Sequence, residues 1–406
     1  MTDRPHSSDG FDVARARAET PGCAGVLHFN NAGAALMPSP VLAAQVDHLQ
    51  LEAEAGGYEA AAATQDRFSN TYDAIARLLG CAAREVALME NATLAWDMAF
   101  HAIEFAPGDR ILTSEAEYAS NYIAYLQVAR RTGTVVEPVP SDNSGQLDLA
   151  ALDAMIDGRV KLISITHVPT NGGLVNPAAE VGRRARAASI PYLLDACQSA
   201  GQIVLDVDAI GCDMLTATGR KYLRGPRGTG FLYVREDFLE RLEPPFLDLR
   251  AATWETPERY VMRSDARRFE NWEFNHAAVI GLGVAVDYAL SWGIEAIERR
   301  VTALAGELRR RLAAIPAVAL HDLGARRCGI VAFTVEGVTA DEVSTALAKR
   351  KMNVLVSRAP STLLDMTRRG LAEVVRASVH YYNTSEEIER FCEAVEALIG
   401  GKDDVG

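Results

Sequence analysis

What this chain has little of narrows its class. Its six cysteines, Cys23, Cys81, Cys197, Cys212, Cys328 and Cys392, include no CxxC pair. Scattered in this way they read as reduced thiols, which argues against a disulfide framework or a zinc site and predicts a cytoplasmic protein. Basic residues are the minority, 41 Lys plus Arg against 54 Asp plus Glu, for a net charge of −13. With no basic stripe, neither nucleic acid nor an acidic membrane surface is expected as a partner. No apolar run approaches membrane-spanning length, and the polar opening MTDRPHSSDG lacks the apolar core of a secretory leader. Internal repeats, long low-complexity segments and a helix-turn-helix extension are also missing.

What is present reads as a globular enzyme. At 406 residues, 49% of them hydrophobic, the chain is long enough for two domains. Residues 1–10 and the closing GKDDVG read as disordered ends. From about residue 85, short apolar runs alternate with amphipathic stretches: EVALME (85–90), DRILTS (109–114), VKLISIT (160–166), IPYLLDA (190–196), CDMLTAT (212–218) and GFLYV (230–234). Helical segments such as 177–188 lie between most of them. Strands alternating with helices predict an α/β fold with a mostly parallel sheet covered on both faces. Past residue 276 the texture changes to helices at 276–292 and 294–314, the run CGIVAFTVEG, a helix at 339–350, MNVLVS (352–357), VVRASVHYY (374–382) and a last helix at 385–399. The expected division is a large domain over 26–275 and a smaller α+β domain from 276–406 with the segment 1–25.

Ligands of open parallel sheets sit beyond the C-terminal ends of the strands. Polar clusters fall there: Asn91-Ala92-Thr93, Glu115 to Asn121, His167 to Gly173, Asp195 to Gln198 and Thr218 to Lys221. Asp195 alone is as well explained as a helix N-cap. Followed by Lys221 after the next apolar run, it suggests more. Lys221 lies between Arg220 and Arg224 and behind the small residues 216–219, surroundings suited to an amine that must lose its proton. Pyridoxal phosphate needs such a pair, a lysine to hold its aldehyde and an acid opposite its ring nitrogen.

The stretch LLDACQSAGQIVLDVDAIGCDMLTATGRKYLRGPRGTGFLYV resembles the core of the class-V aminotransferases, a family that includes cysteine desulfurases, kynureninase and isopenicillin-N epimerase. The likeness runs from HFNNAGAALMPSPV (28–41) to VRASVHYYNTSEEIERF (375–391). It implies fold type I, with a mostly parallel, seven-stranded sheet in the large domain, pyridoxal 5'-phosphate as cofactor, an α-amino acid as substrate, and a homodimer. By the same resemblance Lys221 is the Schiff-base lysine and α-proton base, Asp195 the ring-nitrogen partner, and Gln198 the partner of the phenolic oxygen. Ala92 and Thr93 match a helix start that binds the phosphate. Thr218 and Arg220 match further phosphate ligands, and Tyr118 the residue stacked on the ring. Arg376 matches the clamp on the substrate carboxylate; without the resemblance it would read as a surface arginine on a strand. Asn171 or Thr170 matches an asparagine beside the ring, and Asn171 is taken for that role. His167 either touches the cofactor or satisfies backbone groups, and Cys197 reads as a small core filler.

Two departures from the family stand out. Desulfurases carry a sulfur-accepting cysteine on a loop corresponding to SRAPSTLLDMTRRG (357–370), which has none. This predicts that the protein is not a cysteine desulfurase. It favours a carbon–sulfur β-elimination lyase, with aminotransferase or epimerase as alternatives and a non-catalytic scaffold as the remaining rival. The second departure is Asn271-Trp272-Glu273, where desulfurases have a phosphate-binding threonine that reaches across the dimer. Trp272 and Glu273 then serve packing or the substrate. Gly56-Gly57-Tyr58 interrupts a helical pattern and is either a kink between helices or a lining of the substrate channel.

Overall fold

The computed structural model describes residues 11–400, so the ends read as disordered lie outside the described residues. A seven-stranded sheet forms the centre of the larger part. Across it run Val86–Met89, Gly230–Val234, Met214–Thr218, Tyr192–Asp195, Val160–Thr166, Arg110–Ser114 and Val135–Val139. Only Gly230–Val234 runs against the other six. Leu162, Ile163 and Ile165 in the interior strand Val160–Thr166 are fully buried on both faces, which is why these strands read as continuous apolar runs rather than as alternating ones. Helices cover both sides, and their turns carry the expected punctuation. Asn91 caps Ala92–His101 by accepting from Leu94 N, and Gly80 ends Gln65–Leu79 in the left-handed conformation.

The second sheet has four antiparallel strands in the order Val318–Leu320, Ile330–Val335, Glu373–Ser378 and Leu355–Arg358. The run MNVLVS is divided between two partners. Met352–Asn353 pairs in parallel with Leu27–His28 near the start of the chain, and Leu355–Arg358 joins the four-stranded sheet. The early chain is thereby stitched to the C-terminal sheet, with a further bridge from Asn30 to Ser378.

Helix His276–Trp292 packs on helices Ser39–Ala55 and Gln65–Leu79, beside the large sheet. The approach is close because Gly283 has no side chain: a Cβ there would lie 2.5 Å from the Thr71 hydroxyl, which itself donates to Val279 O. The chain then bends by 78° into Ile294–Ala313, and among the described residues no single helix is long and apolar enough to cross a membrane. Gly56 ends one helix and begins the next at φ +101°, so the 56–58 segment is a break between helices. An antiparallel hairpin, Ala252–Thr256 with Arg259–Met262, has no counterpart in the sequence reading. Its side chains are mostly exposed, so its residues carry no inward-facing apolar alternation that would announce strands.

Candidate active site

Five strands of the large sheet end at one cleft, four of them adjacent and the fifth, Val86–Met89, one strand further across, and residues at or just past each end line it. After Val86–Met89 come Asn91, Ala92 and Thr93, and after Arg110–Ser114 comes Tyr118. Val160–Thr166 contributes Thr166, Val168 and Thr170, Tyr192–Asp195 contributes Asp195, Cys197 and Gln198, and Met214–Thr218 contributes Thr218, Arg220 and Lys221. The alternation of strand and helix makes this convergence, since every parallel strand must point its C-terminal end the same way.

Lys221 lies on the connection between Met214–Thr218 and its antiparallel neighbour Gly230–Val234. That connection is folded back on itself. Gly219 N donates to Thr229 O, Gly225 N to Gly219 O and Arg224 N to Lys221 O, with Arg224 at φ +61°. Gly201 backs the loop at φ +92°, where a Cβ would lie 2.4 Å from the carbonyl carbon of Tyr222. Burial lowers the Lys221 pKa below the ordinary lysine value, and the charges of Arg220 and Arg376 push in the same direction. Asp195 and Cys197 oppose them. A lysine held in this way gives up its proton more readily than one in water.

Asp195 is buried and doubly held. Its Oδ1 accepts from Cys197 N at 2.9 Å and its Oδ2 from Asn121 Nδ2 at 3.0 Å. Cys197, read from sequence as core filler, lines the cleft instead. Burial and the Asp195 charge raise its pKa, so it stays a thiol.

Arg376, on the four-stranded sheet, borders the cleft through Thr170. Its Nη1 donates to Thr170 O and to Thr170 Oγ1 at 2.9 and 2.8 Å. Gln198 Nε2 donates to Ala32 O at 3.1 Å and to the same threonine hydroxyl at 3.4 Å. Thr170, rather than Asn171, therefore lines the cleft. Asn171 turns the other way and donates to Thr362 Oγ1 at 2.8 Å, in the segment that corresponds to the desulfurase loop. An ion pair at 3.0 Å between Arg368 and Glu115 holds that segment from a second point. Arg220 lines the cleft while its guanidinium donates to Gly33 O. Thr218 Oγ1 donates to Thr229 O at 3.2 Å. His167 bonds Ser199 through Nδ1 at 2.8 Å and lines a different cavity with Asn176 and Arg326. Trp272, Glu273 and Tyr58 line a third, larger cavity away from Lys221.

The cleft's chemistry fits a phosphorylated pyridine aldehyde. Buried Gln198 Oε1 and Arg376 Nε have no partner among the described residues, which suits a site completed by a ligand. Helix Ala92–His101 points its N-terminus into the cleft, where the amides of Ala92 and Thr93 and the helix dipole favour an anion. An amine and a carboxylate complete the donor set that the aldehyde and the ring nitrogen require.

Fold and site together define a pyridoxal-phosphate-dependent enzyme of fold type I. The model of the family "Aminotransferase class-V" matches residues 27–391, and the chain belongs to that family. A probable cysteine desulfurase of Xylella fastidiosa is 32% identical over 92% of this chain and 92% of its own length. The apo structure of a cysteine desulfurase from Thermococcus onnurineus superimposes with a TM-score of 0.89 at 26% identity, covering 99% of this chain and 100% of that one. A structure of C-DES with glycine linked to its pyridoxal phosphate cofactor shares the fold, with a TM-score of 0.85 at 22% identity, over 94% of this chain and 98% of its own. These relatives overturn the exclusion of desulfurase chemistry drawn from the cysteine-free segment 357–370. The preference for β-elimination, with transamination or epimerisation as alternatives, falls with it, because it rested on that single missing residue.

Proposed function

We propose that the protein is a cysteine desulfurase-type enzyme, which takes the sulfur of cysteine or a close analogue and releases alanine. The observation that carries this reading is the joining of Lys221, Asp195 and Gln198 at one cleft, with Arg376 bonded to Thr170 of the same lining, in a chain similar to cysteine desulfurases along most of its length. When bound, pyridoxal phosphate supplies the electron sink for charge developing at the substrate's α-carbon. The chain's own groups do the rest. The Ala92–Thr93 helix start, Thr218 and Arg220 would hold the phosphate, and Asp195 would keep the ring nitrogen protonated. Lys221 Nζ, with its depressed proton affinity, takes and returns the α-proton. Arg376 binds the substrate carboxylate through its guanidinium fork.

The sulfur acceptor in this proposal is an external thiol, since 357–370 holds no cysteine and the Cys197 thiol is held protonated. The balance is cysteine plus thiol giving alanine plus persulfide, with no external oxidant. Incubating the holoenzyme with L-cysteine and excess dithiothreitol tests it, and alanine is expected one for one with sulfide. Pyruvate and ammonia in place of alanine would sink the proposal.

The working form in this reading is a homodimer. Phe246, Leu249, Trp254, Tyr260 and Trp272 are all at least half exposed within one stretch of 27 residues, and burial of such side chains against a second copy would favour association. Sedimentation at micromolar protein should give twice the 43.9 kDa chain mass, and a monomer would count against it.

A further inference from the structure

Behind the cleft lies a carboxylate for which the reaction described above has no use. Glu117 sits between the ends of strands Arg110–Ser114 and Val160–Thr166, almost wholly buried. One oxygen accepts from Thr113 Oγ1 at 2.9 Å and Thr166 N at 3.0 Å. The other accepts from Tyr118 N at 2.9 Å, Asn121 Nδ2 at 2.8 Å and the Thr166 hydroxyl. Five donors reach the two oxygens of this one buried side chain and tie it to both strand ends, to Tyr118 and to Asn121.

The pattern of those bonds is informative. Asn121 Nδ2 has two hydrogens; one goes to Glu117 and the other to Asp195 Oδ2. Tyr118 follows Glu117 directly, and its amide is fixed by the same oxygen that Asn121 contacts. A single carboxylate is thus one bond from the residue at the cleft's aromatic wall. It is two bonds from the residue that faces the ring nitrogen. Two nearby acids would repel if nothing stood between them, and the Asn121 amide separates them while binding both. Burial and the Asp195 charge raise the Glu117 pKa to about 7.

We propose that Glu117, acting through Asn121 and through the amide of Tyr118, is a positioning residue. It fixes the orientation of Asp195 toward the cofactor's ring nitrogen and the placement of Tyr118 over the ring. Its contacts are with the holders of the cofactor and not with cofactor or substrate. The inference rests on the pyridoxal phosphate site and is independent of which amino acid the enzyme uses.

The test uses full-length holoenzyme reconstituted with pyridoxal phosphate labelled with 15N in the ring. Asn121→Ala removes the link to Asp195, and Glu117→Gln keeps the shape while changing what the amide of Asn121 meets. In the unaltered enzyme at pH 8 the nitrogen should resonate at the pyridinium position. In Asn121→Ala it is expected to move measurably toward neutral pyridine, with cofactor dissociation about tenfold easier, a change of about 1.4 kcal/mol. Glu117→Gln should move it in the same direction by less. A pyridinium resonance unmoved in both variants, with cofactor bound as tightly as before, overturns the proposal. Should Asn121→Ala fail to fold by circular dichroism, the Glu117→Gln resonance decides alone. An unaltered enzyme that bound no labelled cofactor would instead indict the cofactor site itself.

Discussion

Arg376 Nη1 donates to both oxygens of Thr170, at 2.9 and 2.8 Å, while its buried Nε has no partner among the described residues. One side of the guanidinium is anchored to the large sheet's strand end and the other is free for a ligand. Burial, with the charge of Arg220, lowers its pKa to about 10, so it remains cationic at neutral pH. Arg376→Ala is expected to lower kcat/KM for the amino acid by about 10- to 100-fold, as loss of a charged hydrogen-bonding group implies, mainly through KM. Arg376→Lys should recover little, because an ammonium lacks the planar fork. Steady-state kinetics alongside the cofactor's visible spectrum checks this, since the spectrum should not change. A KM equal to that of the unaltered enzyme would remove Arg376 from the substrate site.

Lys221→Ala removes the one lysine that lines the cleft among the described residues. Turnover is expected to fall by about 10²- to 10⁴-fold, the range for losing a positioned acid–base group. Single-turnover assays with cofactor added in excess separate a lost catalytic step from lost cofactor. Full activity in that assay would discard the mechanism.

Gly201 shows how the lysine loop is supported. Alanine there would place a Cβ 2.4 Å from Tyr222 backbone, at a φ of +92° that side chains avoid. Gly201→Ala should cost at least about 1–3 kcal/mol of stability by urea unfolding and weaken cofactor binding by moving the residue next to Lys221. Unchanged stability and cofactor affinity would show that the loop can shift without consequence.

His167 sets an acid limit. Burial, helped by the charge of Arg326, lowers its pKa to about 3, against about 6.5 in an unfolded chain. Between those values the unfolded chain binds a proton that the native chain does not, so stability falls as pH drops from about 6.5 toward 3. His167→Gln should flatten that decline by up to about 1.4 kcal/mol per pH unit. Denaturant unfolding of both proteins between pH 5 and 7 measures it, and parallel slopes would contradict the assignment.

The strand-and-helix alternation was legible because central strands are apolar on both faces, and the same regularity brought Asp195, Gln198, Thr218 and Lys221 together. The choice between Thr170 and Asn171 was open inside the PTNGG turn, where chain direction cannot be read from residue type; Thr170 lines the cleft and Asn171 donates to Thr362. Glu117 fell within the strand-end cluster Glu115 to Asn121, but it was given no role because its partners, from Thr113 to Thr166, form no spacing pattern that sequence displays. Cys197 looked like filler because small size suits both a core and the floor of a cleft. The cysteine-free segment 357–370 misled differently: one absent residue was given more weight than agreement over hundreds.

The pairing of Leu27–His28 with Met352–Asn353 has a consequence for biosynthesis. Every residue that lines the cofactor cleft leaves the ribosome before Arg376, and the early strand must wait for its partner. Domains fold as units, the N-terminal ones first. The nascent chain is therefore expected to acquire a pocket for pyridoxal phosphate before it has a grip on substrate. Ribosome-arrested chains that stop short of Arg376, probed for cofactor absorbance, would reveal this order, and chains unable to take up cofactor until the last strand emerges would refute it. Under that order a half-made enzyme holds its cofactor without a clamp to retain an amino acid.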